Sequence, residues 1–361
     1  MIAILITFFA SMGVTFFVVR YEHLHAHVTA DHDLDGIQKF HASPVPRVGG
    51  VSIMIAILLG MIVLFYTEPL VGRFGLLLMA AAFPVFIAGF IEDLTKKVSS
   101  LKRLFAAVIS AWTAGLLLDA WLTSIDIPVI DALMSAGGVY GLVTVFGVAG
   151  VAHSFNIIDG FNGLSGVVAL IILSAIAFIA EQVGDHSIAM VSCSAGAAIL
   201  GFLIWNYPRG LIFLGDGGAY LISFIVAELS VLLVVRNPEV SPWFPLVLSL
   251  YPVTETMFTI FRRVVLGRVH PGRPDAYHLH QLIYRRFLRS LAGASCLKTK
   301  ALRNSMTSPC LWLLTLITVV PAIGYWSNTS MLQGITFLFV LIYLFIYGVL
   351  FNIKWVKRLL S

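Results

Sequence analysis

Charge is what this 361-residue sequence has least of: Asp, Glu, Lys and Arg make up only 11% of it, against roughly 25% in soluble globular chains. Together with a mean hydropathy of +0.95, that scarcity excludes an ordinary soluble domain and an intrinsically disordered chain. A net charge of +5 is too small over such a length for a general nucleic-acid binder, so no nucleic-acid partner is expected. Cysteine is scarce too. Cys193, Cys296 and Cys310 are odd in number and lack the short spacings of a zinc site, so they read as free thiols and not as a disulfide scaffold. Period-2 alternation is missing, which excludes a β-barrel. No internal repeat is found, which counts against the alternative of a secondary transporter built from two similar halves.

What is present is apolar length. A helix crossing a ~30 Å hydrocarbon core needs about 20 apolar residues. Eleven such runs lie near 2–19, 48–67, 75–92, 104–121, 137–158, 163–180, 188–206, 217–235, 243–261, 309–326 and 331–353. The first has no basic residue before it and no small-residue cleavage pattern after it, and is expected to be a retained helix. Of the 23 Lys and Arg residues, 21 fall in loops after odd-numbered helices or in the C-terminal tail, leaving only Arg73 and Arg236 on the other side. Basic loops stay in the cytoplasm. The expectation is therefore an all-α, polytopic integral membrane protein of about eleven helices, N-terminus out and C-terminus in. It forms one membrane-embedded catalytic domain over 1–361, with a cytoplasmic loop over 262–308.

The polar clusters all fall on the inner side of that topology. Lys39, His41 and Pro46-Arg47-Val48-Gly49-Gly50 close the first loop. Glu92-Asp93 ends helix 3, before Lys102 and Arg103. Asn156-Ile157-Ile158-Asp159-Gly160-Phe161-Asn162-Gly163 ends helix 5, Gly215-Asp216-Gly217-Gly218 begins helix 8, and Arg273 and His278-Leu279-His280 lie in the last inner loop. Each alone reads as a helix cap or a solvated turn. Together they supply carboxylates for a hard cation, which takes one or two of them plus substrate phosphates, and basic groups and backbone N–H groups for oxyanions.

The motifs PRVGG, ED, NIIDGFNG, FLGDGG and HLHQ resemble, in order and sidedness, those of the polyprenyl-phosphate N-acetylhexosamine-1-phosphate transferases, over roughly residues 33 to 290. That family includes the phospho-N-acetylmuramoyl-pentapeptide translocases and the enzymes that begin O-antigen synthesis. The resemblance implies transfer of a sugar 1-phosphate from a UDP-activated amino sugar to undecaprenyl phosphate at the bacterial inner membrane, with Mg²⁺ or Mn²⁺. Glu92 and Asn162 stand where the family usually has Asp, so catalytic roles pass to Asp93, Asp159 and Asp216, with Glu92 and Asn162 supporting. Gln281 in the last place of the His motif favours the non-peptidoglycan branch.

The chemistry assigns Asp216 to the metal, with Asp159 and Asn156 completing its shell, and Asp93 to the lipid phosphate. Lys102, Arg103, Arg262 and Arg263 either hold that phosphate or simply anchor the inner face. Pro271 and Pro274 favour a loop for His278 and His280, which would donate to the diphosphate. A covalent phospho-Asp step stays open, as do a homodimer and the sugar's identity. His23, His25, His27 and His32 read as a wet interfacial loop. Of the intramembrane acids, Glu255 ranks above Glu228, because it matches an acid common in the family's helix before the His loop.

Overall fold

An apolar stretch of about 20 residues satisfies its backbone away from water by coiling into a helix. A computed structural model, which describes residues 1–31, 44–135, 139–266, 277–288 and 300–351, shows ten of the eleven runs doing so. They are α1 (Ile2–Arg20), α3 (Gly49–Thr67), α4 (Pro69–Thr95), α5 (Ser100–Leu118), α7 (Val139–Ile158), α8 (Leu164–Gln182), α9 (His186–Asn206), α10 (Gly215–Arg236), α14 (Lys300–Gly324) and α15 (Thr329–Phe351). Between them lie the short helices α2 (Glu22–Thr29), α6 (Pro128–Ser135) and α13 (Leu279–Leu282), and a two-residue antiparallel pair, β1 (Ala30–Asp31) with β2 (Val45–Pro46).

The expected run at 243–261 is not one continuous helix. It divides into α11 (Phe244–Leu248) and α12 (Leu250–Phe261), which continues as π-helix over Arg262–Leu266. Pro245 and Pro252 each fall in the first turn of one of these pieces, where a missing N–H breaks no helical bond. The same residues inside a single long helix would each remove one. Two expected loops are likewise helical. The first histidines fall in α2, where His25 Nδ1 lies 2.7 Å from Thr29 Oγ1. In the HLHQ motif His278 keeps the expected extended backbone as the N-cap of α13, whereas His280 lies within that short helix, with π-helix after it at Ile283–Phe287.

Helix α10 is the axis of the bundle. Every residue from Ala219 to Val234 is buried, and α3, α4, α7 and α8 pack around it; a helix apolar on all sides belongs in a core. Its first turn is approached backbone to backbone. A Cβ at Gly50 of α3 would sit 2.3 Å from the Gly218 nitrogen, and one at Gly89 of α4 would sit 2.6 Å from the Gly217 nitrogen. Small residues let membrane helices approach this closely. Gly50→Ala is therefore expected to destabilise the fold by about 1–3 kcal/mol or more, seen as a lower thermal midpoint in detergent. Gly147→Ala, where a Cβ meets nothing within 4 Å, leaves the midpoint unchanged or slightly raised.

Candidate active site

The first N–H groups of a helix have no partner within it, and α10 carries no cap of its own. The cap comes from another helix. Asp93, in the last turn of α4, accepts the Asp216 N–H at 2.7 Å on one oxygen and the Gly217 N–H at 2.8 Å on the other. The preceding Gly215 has φ +76°, and a Cβ there would lie 2.2 Å from the Arg47 carbonyl, so only glycine fits this entry. The PRVGG segment locks on beside it: Phe213 N–H donates to the Pro46 carbonyl, Gly49 N–H to that of Phe213, and Gly50 N–H to that of Leu214.

Asp216 is thereby held at the centre. Its Oδ1 accepts from Asn156 Nδ2 at 2.8 Å, and its Oδ2 pairs with the Arg103 guanidinium. Arg47 stands 3.7 Å from both Asp216 and Asp93. Asp159, just past α7, accepts from the Ser165 hydroxyl. Burial pushes its carboxyl up to about 6, and the Asp216 charge adds to the rise while Ser165 and Arg47 oppose it. Four of the motif segments thus meet around Asp216, and the fifth reaches them through His280. Its ring lies against Phe161 at 5.5 Å between centroids and faces the open side of Gly160.

The other expected residues are placed differently. Glu92 turns away to accept the Val98 N–H at 2.6 Å, closing the α4–α5 turn. Asn162 is buried in a backbone knot, its N–H donating to Asn304 of α14 and its amide to the Pro208 carbonyl. Lys102 is exposed and Arg263 buried. Glu255 is buried in α12 and accepts from His278 Nδ1 at 2.9 Å, from the Leu279 N–H, and from the Tyr343 hydroxyl at 2.9 Å. His278 is therefore fixed with Nδ1 toward Glu255, its ring stacked on His280 at 5.2 Å. Glu228, twelve residues beyond Asp216 on α10 and so about 18 Å along it, is buried with no hydrogen bond among the described residues. Lys39, His41, Arg273, His32 and Cys296 lie outside the described residues.

Two residues that the sequence did not single out join the site. His153, one turn before Asn156 on α7, places Nδ1 2.7 Å from the Tyr220 hydroxyl, and the Arg103 guanidinium lies 5.8 Å over the Tyr220 ring. The available signal was an ionisable residue within an apolar run. His153 also lines a cavity of ≈ 620 Å³ between α7, α10 and the α11–α12 break, rimmed by exposed Phe146, Met257 and Ile260. Apart from His153 its walls are apolar or hydroxyl-bearing.

Among the described residues no group of three or more His, Cys, Asp or Glu side chains is arranged to hold a metal unaided. Asp216, Asp159 and Asn156 nonetheless fit a hard cation that draws its remaining ligands from phosphate oxygens, since such an ion needs only one or two carboxylates.

Residues 75–234 match the model of glycosyl transferase family 4, a span that contains Asp93, Arg103, Asn156, Asp159 and Asp216. Over that span the chain is similar to glycosyl transferase family 4. It is 29% identical over 248 residues to the "Probable undecaprenyl-phosphate N-acetylglucosaminyl 1-phosphate transferase" of Bacillus subtilis, covering 67% of this chain and 66% of that one. It is 25% identical to the "Undecaprenyl-phosphate alpha-N-acetylglucosaminyl 1-phosphate transferase" of Thermotoga maritima, covering 76% and 79%. With the "Phospho-N-acetylmuramoyl-pentapeptide-transferase" of Oceanobacillus iheyensis it shares 28% over 52% of this chain and 61% of that one. The match thus spans just under two thirds of the first of these relatives and less of the last. Arg47, Glu255, His278 and Tyr343 fall outside the family 4 span, so the geometry alone ties them to it.

Two outcomes are expected. Because the Asp159 pKa lies above its ordinary 3.8, the fold takes up a proton that the unfolded chain does not, and this group's contribution to stability is lost as pH rises through about 6. If turnover needs the carboxylate, activity falls about tenfold per unit below pH ~6. Ser165→Ala, which deletes the bond favouring the charged form, shifts that limb upward in a pH–rate profile. Tyr343→Phe, which unties Glu255, is expected to cut turnover about tenfold while changing the melting midpoint little.

Proposed function

We propose that this protein transfers a sugar 1-phosphate from a UDP-linked N-acetylated amino sugar to undecaprenyl phosphate, giving the undecaprenyl-diphosphate sugar and UMP. One observation carries the reading: a cluster of carboxylates and arginines is joined, through Arg103, Tyr220 and His153, to an apolar cavity. Phosphates suit the first and a polyprenyl chain the second. The names of the relatives support the same acceptor, and GlcNAc as the first sugar to try. An O-antigen or another envelope polysaccharide is the proposed destination.

An oxygen of the lipid phosphate attacks the β-phosphorus of the UDP-sugar. A new P–O bond forms, the bond from the β-phosphorus to the bridging oxygen breaks, and UMP departs with that electron pair. Two anions must meet, so alignment and charge neutralisation carry most of the catalysis. Arg47 and Arg103 bring positive charge to the carboxylate pair, and the N-terminus of α10 adds the positive end of its dipole. Mg²⁺, held by Asp216 with Asn156 and Asp159, would supply further neutralisation of the diphosphate. Asp93 keeps Asp216 in register, and Glu255 keeps His278 facing the donor side. Since a phosphate monoester is largely ionised at neutral pH, a strong general base is unnecessary.

The site faces the cytoplasm, where UDP-sugars are made. The bias of 21 of 23 basic residues to one side supports this orientation.

Purified protein assayed with undecaprenyl phosphate and a panel of UDP-sugars should release UMP with at least one of them. Asp216→Asn should lower that rate by at least about 100-fold, and near-normal activity at saturating Mg²⁺ would remove Asp216 from the ligand set. In a variant lacking Cys193 and Cys310, a membrane-impermeant thiol reagent should label Cys296 only after permeabilisation. Labelling in intact cells would reverse the orientation.

A further inference from the structure

The cavity beside α7 has an unequal chemistry along its length. Gly147 and Gly150 form part of its wall, and a Cβ at either position would meet nothing within 4 Å, so missing side chains open the space. From Val143 to Ser154 the wall runs eleven residues along α7, about 16 Å. Its far end is formed by Ile125, Pro242 and Trp243. Its near end is His153, the one ionisable side chain in the lining among the described residues.

His153 is also the point where the cavity joins the acidic site. Its Nδ1 is engaged with the Tyr220 hydroxyl, Arg103 lies over that tyrosine ring, and Arg103 is paired with Asp216. A half-buried imidazole held by one nitrogen presents the other as a hydrogen-bonding group. At the head of an apolar cavity, the ligand that rewards such a group has a long hydrocarbon body and an anionic tip. Arg103 is already committed to Asp216, and Arg47 lies on the Asp93 and Asp216 side.

We propose that His153 is the headgroup-binding residue for the lipid acceptor, its Nε2 donating to the terminal phosphate of an isoprenoid monophosphate whose first units lie in the cavity. The inference rests on the function proposed above, and it assigns recognition of the phosphate to a residue outside the carboxylate and arginine cluster. Tyr220 acts as the positioning residue that aims the imidazole. The contact is a charge-assisted hydrogen bond, so its loss should cost roughly tenfold or more in affinity for the phosphate-bearing lipid.

The test compares binding of undecaprenyl phosphate and undecaprenol, which differ only in the phosphate, to purified protein in nanodiscs by thermal shift and by competition with a fluorescent isoprenoid. The wild type should prefer the phosphate by about tenfold or more. His153→Leu should reduce that preference to about threefold or less while leaving undecaprenol affinity unchanged. His153→Gln, which keeps an N–H donor of similar reach, should fall between them, and it carries the test if the leucine variant fails to bind undecaprenol. Tyr220→Phe should weaken the preference without abolishing it, and Gly147→Phe should weaken both lipids alike. An undiminished preference in the leucine and glutamine variants would overturn the role of His153 while sparing the proposed function. A wild-type protein that does not distinguish the two lipids would overturn the proposed acceptor, and this inference with it.

Discussion

Everything at this site depends on how the N-terminus of a buried helix is satisfied. Helix α10 starts inside the bundle, where its first N–H groups would be left without water or protein partners at a cost of several kcal/mol. The Asp93 carboxylate takes two of them, and in doing so fixes α4 against the turn of α10 that carries Asp216. The glycines at 50, 89, 217 and 218 follow from this, because the bond can form only if three backbones come within contact of one another. A carboxylate placed for capping also adds negative charge next to Asp216, and the two arginines offset it.

The division of labour among the acids is set by the elements that carry them. Asp93 and Glu92 are adjacent in sequence, yet a helix sends neighbouring side chains about 100° apart. Asp93 therefore meets α10 while Glu92 closes a turn. Asp159 stands on the loop after α7, tied to Ser165 of the next helix. Glu255 is spent on orienting His278. The site is thus a set of placed side chains around one largely buried carboxylate.

The long helices were legible in the sequence because a membrane span is written in hydropathy alone. The five motifs were legible as a convergent set because polar residues have few reasons to gather on one face. The break at Ser249 was less so: Pro245 and Pro252 announce it only once their positions within first turns are considered. The cap formed by Asp93 was hidden because its partners are backbone N–H groups, which every residue has and no residue type advertises. His153 and Tyr220 read as core in an apolar run. Tyr343 lies 88 positions from the acid it holds, and no local pattern links them.

That separation bears on how the protein is made. Tyr343 binds Glu255, and Tyr347, one turn later, donates to the Tyr277 carbonyl just before His278, so a helix that leaves the ribosome after the histidine segment ties that segment down. Until it inserts, Glu255 lacks one of its partners and the segment is unanchored on that side. A nascent chain ending before α15 could carry every residue of the acidic cluster and still leave its histidines unset. Insertion of α15 is, in this sense, a late step in assembling the site.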